Sequence, residues 1–130
     1  PITRGGAREG IPSADGRTLY VTHGPGASAI WQLPAEGGAE EPVPAIRDFD
    51  RIGRAWGVTR SGIYFISAAL SEQTIRFHDF ASGRISSLRS WESKGMWTGP
   101  VVSLSPDGRY LLLVQTDHQV NDLMMIEDFR

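Results

Sequence analysis

Apolar residues fall in short runs that begin abruptly at small polar turns. The clearest run, Tyr110-Leu-Leu-Leu-Val114, follows Ser105-Pro-Asp-Gly-Arg109 directly. Thr18-Leu-Tyr-Val-Thr22 follows Ser13-Ala-Asp-Gly-Arg17 in the same way, and Ile63-Tyr-Phe-Ile-Ser67 follows Thr59-Arg-Ser-Gly62. Each run is apolar at successive positions, the pattern of a strand buried on both faces between two layers. No stretch shows helical periodicity, so the pattern predicts an all-β chain.

The runs recur at a fixed interval. Gly16, Gly62 and Gly108 are spaced 46 residues apart, and Gly37 and Gly83 repeat the offset in the turns AEGG and ASGR. In the Asp-Gly turns, proline presets φ, aspartate bonds nearby backbone, and glycine accepts positive φ. Thr59-Arg-Ser-Gly62 keeps the glycine alone of this set, read as the position that sterics require.

Within each unit a first strand such as Val101–Leu104 leads into the turn, and the apolar run is the second strand. A polar loop follows, then a third strand at Ala29–Leu33, Thr74–His78 and Asp122–Ile126. An outer strand closes the unit at Glu41–Ile46 or Arg84–Arg89, where Pro42 and Pro44 fit only an edge. Four short strands in about 46 residues describe a β-propeller blade. The expected fold is all-β, about three four-stranded antiparallel blades, a partial or half propeller. The repeats are 7–52, 53–98 and 99–130, the last without an outer strand. Residues 1–6 supply an outer strand that closes a blade.

Composition narrows the reading only a little. The formal net charge of −2, with acids and bases interspersed, gives no electrostatic case for nucleic acid or an anionic membrane. No apolar run approaches the ~20 residues that span a bilayer. The chain has no cysteine, which removes disulfides, thiolate metal sites and a cysteine nucleophile. That absence suits a periplasmic or a cytoplasmic compartment and selects neither. A first residue of proline is read as the start of a processed or excised piece of something longer.

The motifs SPDGRYLLL, SADGRTLYV and, more degenerately, VTRSGIYFI resemble the WD40-like (PD40), TolB-type β-propellers across the whole chain. The ending Asp122-Leu-Met-Met-Ile-Glu-Asp-Phe-Arg130 also resembles the C-terminus of propellers attached to bacterial regulators. The resemblance implies a non-enzymatic module of a larger bacterial regulatory or kinase-associated protein that binds a ligand or protein as a sensor. Two other roles stay open: an accessory gating propeller of a prolyl-oligopeptidase-type peptidase, or a purely structural self-assembling half-propeller. Three blades fall short of the ~4 to 8 that close a ring. The chain is therefore expected either to self-associate into a six-bladed ring or to join the remainder of a larger propeller.

Loops between second and third strands share a face with those entering each next blade, where binding residues gather on a rigid scaffold. This face collects His23, Asp48, Asp50, Arg51, Arg54, Glu72, Asp117, His118 and Asn121 as binding candidates, with ordinary solvated loop residues as the competing reading. Trp56 and Trp97 are candidates for stacking a ligand in the channel, against packing in the core. Trp31, Phe77 and Leu123 share one repeat position, which makes Trp31 a packing residue between blades. His23, His78 and His118 sit at different repeat positions and lack ligand spacing, so no metal is expected. Asp48-Phe-Asp-Arg-Ile-Gly53 lacks the later glutamate of a calcium loop. No nucleophile elbow or paired acid and base is present. Neither catalytic residues nor a cofactor is implied.

Overall fold

The computed structural model describes residues 6–23, 29–46, 55–68, 72–92, 101–105, 107–117 and 120–127, and every regular element in them is a strand. Eleven strands form three antiparallel sheets. Blade one is β1 (Ala7–Pro12), β2 (Thr18–His23), β3 (Trp31–Pro34) and β4 (Glu41–Pro42), in that order. Blade two is β5 (Trp56–Val58), β6 (Gly62–Ala68), β7 (Glu72–Asp79) and β8 (Ile85–Glu92). Blade three is β9 (Val101–Leu104), β10 (Tyr110–Asp117) and β11 (Val120–Glu127), with β11 on its outer edge among the described residues. The architecture is that of a partial β-propeller of about three blades.

The outer strand of blade one is shorter than its sequence suggests. Residue pairing ends at Trp31 and Pro42, the Val43 amide makes one further bond to the Ile30 carbonyl at 2.9 Å, and the chain then turns, with the Ile46 amide donating to the Val43 carbonyl at 2.9 Å. Pro42 and Pro44 flank Val43, so the nitrogens without N–H are those turned away from β3, as an edge allows. The proline-free β8 instead pairs with β7 along its length.

The turns explain the glycine spacing, and correct part of it. Gly16 and Gly108 hold φ of 71° and 68°, the left-handed conformation that glycine adopts without a Cβ penalty. Ser13 and Ser105 close these turns, their amides donating to the carbonyls of Thr18 and Tyr110 at 2.8 and 2.9 Å. In blade two the Thr59 amide donates to the Gly62 carbonyl instead, a closure over three residues rather than five. Gly62 therefore stands where Thr18 and Tyr110 stand, as the first residue of a strand. It is absent from the positive-φ glycines. Its conformation does not call for glycine; space does. A Cβ there would meet the Phe77 ring at 2.5 Å and, closer still, the His78 carbonyl oxygen.

The shorter turn also shifts the side-chain equivalences. Strand register pairs Val21 with Trp31, Phe65 with Arg76 and Leu113 with Met124. Trp31 thus corresponds to Arg76 and Met124, not to Phe77 and Leu123 as the 46-residue offset suggested. Phe77 corresponds to Gln32 and Met125, each opposite the second-strand residue Tyr64, Tyr20 or Leu112. Trp31 is half-buried and sits outside the buried core.

That core runs through all three blades. Tyr20, Ile30, Val43 and Ile46 of blade one join Trp56, Ile63, Tyr64, Phe65, Ile66 and Ile75 of blade two, and Val102, Leu111 and Leu113 of blade three. Burying each such side chain stabilises the fold by roughly 1.5–3 kcal/mol. Two contacts fix how the blades face each other. Tyr20 stacks on Phe80 of blade two, with centroids 5.7 Å apart. Gly57, opposite Tyr64, lies so close to Leu104 of blade three that a Cβ would meet its Cδ1 at 2.6 Å.

Candidate functional site

Antiparallel order gives each blade two unlike ends. The Asp-Gly turns and the connections from third to fourth strand lie at one end, and the loops between second and third strands at the other. At the turn end the polar side chains serve the backbone. The Ser13 hydroxyl donates to Asp15 Oδ1 at 2.6 Å and accepts from the Thr18 amide at 3.0 Å, while Arg17 N–H donates to Asp15 at 3.1 Å. Ser105, Asp107, Arg109 and Tyr110 repeat the arrangement, with 2.6 Å between Ser105 Oγ and Asp107 Oδ1. The hydroxyl of Ser13 and the amide of Arg17 hold the Asp15 carboxyl below the usual carboxylate range, and Ser105 and Arg109 do so for Asp107. Thr59 keeps the role with one residue, its hydroxyl accepting from the Gly62 amide at 3.1 Å. These hydrogen bonds hold the turns in shape.

Between the turns of blades one and two lies an open cleft of about 470 Å³. Ser13, Asp15 and Tyr20 line one side, and Thr59, Arg60 and Phe80 the other. Phe80 also meets the edge of the buried His78 ring, at 5.9 Å. His78 takes the place of Leu33 and Ile126 in the other blades, each opposite the residue that begins the apolar run. Its Nδ1 has no hydrogen-bond partner, and burial holds its pKa below the ordinary imidazole value. The sequence reading missed this cleft because Phe80 follows the end of β7 and its counterpart in blade one is the small Ala35, whose amide makes the equivalent bond. An aromatic immediately after a strand was the available signal.

The loop-end candidates are only partly within the described residues. Asp48, Asp50, Arg51, Arg54, His118 and Trp97 lie outside them, as does the DFDRIG segment. Asp117 ends β10 and Asn121 lies in β11, with backbone alone described, and Thr116 pairs with Asn121 beside the connecting loop. Glu72 is exposed at the start of β7, opposite Glu92. Trp56 is 3% exposed and pairs with Phe65 inside the core, so its ring is closed to a channel ligand. It is placed there because its first-strand position faces the neighbouring blade's apolar side chains.

His23 is engaged rather than open. Its Nε2 lies 2.8 Å from Glu40 Oε2, and Trp31 meets the imidazole edge-on at 5.6 Å. Glu40 comes from the segment before β4, which returns across blade one to reach the end of β2. Among the described residues there is no group of three or more His, Cys, Asp or Glu that could hold a metal ion.

With this geometry in view, solved structures give an informative likeness. TolB from Acinetobacter baumannii superposes with a TM-score of 0.64 at 17% identity, over 97% of this chain and 31% of that one. The fold is of the TolB-type propeller. A putative 6-phosphogluconolactonase from Bacteroides fragilis is more loosely similar, with a TM-score of 0.43 at 16% identity over 95% of this chain and 38% of that one. The chain thus spans well under half of either protein. No family model matches it, and neither does any curated protein.

Proposed function

We propose that this chain is a non-enzymatic propeller scaffold, a ligand- or protein-binding sensor or interaction module of a larger regulatory protein of the WD40-like (PD40) kind. The observation that carries the reading is the division of labour between the two ends of the blades. At the turn end, Ser13, Asp15, Thr59, Ser105 and Asp107 are committed to their own backbone. A continuous core holds the three blades as one unit, so loops at the opposite end are carried on a fixed frame. The TolB likeness supports the frame and leaves the ligand to be found by experiment.

Backbone amide NMR with a library of small metabolites and short peptides tests it. Ligand-induced shifts should gather around His23, Glu72 and the Asp117–Asn121 connection. Shifts confined to Tyr20, Arg60 and Phe80 would move the site to the turn-end cleft and refute the loop-end assignment. Turnover of any library member, lost on mutation of a residue in this chain, would refute the non-enzymatic reading.

A further inference from the structure

The two ends of the arc carry the two halves of one interface. In blades one and two, the face turned toward the next blade is built on Tyr20 and Ile30, and on Tyr64, Ile66 and Ile75, all buried. Register places Leu112, Val114, Leu123 and Met125 at the corresponding positions of blade three. There Leu123 is 67% exposed and Met125 63% exposed. Blade three thus presents outward the same apolar face that its neighbours bury against a following blade.

The opposite face is built as regularly. Blade two receives blade one with Ile63 and Phe65, and blade three receives blade two with Leu104, Leu111 and Leu113. On blade one the corresponding residues are Leu19 and Val21, with Leu33 and Trp31 beside them. Among the described strands none lies beyond this face, yet Val21 is 0% and Leu33 2% exposed. His23 lies on this side of β2, two residues beyond Val21, and binds Glu40. Glu40, at the end of the connection that leaves β3, therefore reaches the side where a preceding blade would sit.

We propose that a second copy of this chain is the partner. The outer face of blade three in one copy docks on the outer face of blade one in the next, and the His23–Glu40 pair is the latch that holds the second surface closed. Two three-bladed arcs joined twice in this way make a six-bladed ring with twofold symmetry, within the range of closed propellers. The contact reproduces the interface already present between blades one and two and between blades two and three. The inference names a partner for the scaffold proposed above and rests on that reading.

Sedimentation equilibrium over a dilution series tests the docking on the intact chain. Glu40→Ala and His23→Gln each open the latch by a different change, so a folding defect in one does not decide the result. Both should tighten association about tenfold relative to the unmodified chain, toward twice the 14.3 kDa of one copy. Adding Leu123→Glu with Met125→Glu should return either variant to a monomer with an unchanged far-UV spectrum. Latch variants with unchanged association, or association that survives the two glutamates, would overturn the proposal. A monomer that still gives ligand shifts at the loop end would overturn the docking alone and leave the scaffold standing.

Discussion

Replacing Gly62 with alanine separates two reasons for which a glycine can occupy a turn. The 46-residue spacing assigns Gly62 the same left-handed role as Gly16 and Gly108. The structure assigns it a different one, because a Cβ would collide with the His78 carbonyl and reach the Phe77 ring at 2.5 Å. Ordinary carbon contacts need about 3.5–4.0 Å, so β6 and β7 would have to part by roughly 1 Å where they are paired. Overpacking of this kind costs about 1–3 kcal/mol. Disturbing the Tyr64–Phe77 ring contact, now at 4.4 Å, adds about 0.5–1.5 kcal/mol. Loss of unfolded-chain entropy returns about 0.4–1 kcal/mol. The net expectation for Gly62→Ala is a loss of about 0.5–4 kcal/mol. At Gly16 a Cβ meets nothing within 4 Å, and the cost is the left-handed backbone, about 1–2 kcal/mol before the same entropic return. Asparagine distinguishes the two. It tolerates the left-handed region, so Gly16→Asn should recover most of what Gly16→Ala loses, whereas Gly62→Asn, being larger, should be worse than Gly62→Ala. Urea unfolding midpoints at constant slope give the comparison. A Gly62→Asn chain as stable as Gly62→Ala would refute the crowding account and restore the conformational one.

Three further outcomes follow from packing and charge. His78→Leu puts the blade-one residue into the matching site of blade two and removes a buried nitrogen that has no partner. It should stabilise the chain by about 1–3 kcal/mol in thermal or urea unfolding. Because burial lowers the His78 pKa from 6.5, its contribution is present above 6.5 and lost as pH falls through the lower folded value. The His78→Leu chain should therefore lose less stability than the wild type over that interval. Asp15 and Asp107 are held below 3.8 by their serine hydroxyls and the following arginine amides, so they stabilise the fold above 3.8, and this is lost as pH falls through the folded values. Asp15→Asn with Asp107→Asn should flatten the acid limb of the stability profile below about pH 5. Leu113→Ala, at 0% exposure, should cost about 2–5 kcal/mol, whereas Leu123→Ala, at 67%, should change the stability of a monomeric chain by less than about 0.5 kcal/mol.

The blades were legible because their signals are local. Strand two of each unit is announced by a turn whose chemistry acts within five residues, as Ser13 and Ser105 show. The alternation that buries Leu111 and Leu113 is equally short in range. Equivalence between blades was harder to read, since it depends on register and a turn two residues shorter displaces everything after it. A constant glycine offset concealed that displacement: Gly62 occurs at the expected number but two places along in structural terms. Trp31 was accordingly aligned with Phe77 when its counterpart is Arg76. Side-chain engagement was less legible still. His23 read as a loop residue open to ligand, yet Glu40, 17 residues away, occupies its Nε2. Nothing in the spacing of a histidine and a glutamate predicts that a returning segment will bring them together. Trp56 presented the reverse problem, since an aromatic near a channel and an aromatic in the core have the same sequence pattern.

The turn and the latch point to the same physical distinction. An interface between repeats is specified by positions, so blade three carries a following-blade face whether or not a blade follows it, and Leu123 and Met125 are its exposed consequence. An end that is to remain unoccupied needs a cover that the other blades do not share. On blade one the connection after β3 opens like its counterpart after β7, with the Ala35 and Phe80 amides bonded to the carbonyls of Arg17 and Ser61, and then runs on to Glu40, whose carboxylate is bound to His23. The polar partner makes this cover reversible, because a histidine–carboxylate contact only partly withdrawn from water contributes little beyond about 1 kcal/mol, far less than a blade-sized apolar face gains on burial. Among the described residues the outward face of blade three carries no comparable polar clasp, and register there aligns Leu112 with Met125 and Val114 with Leu123. The proposed latch would close the arc weakly at one end and leave it open at the other, an asymmetry that favours a head-to-tail partner over a face-to-face one.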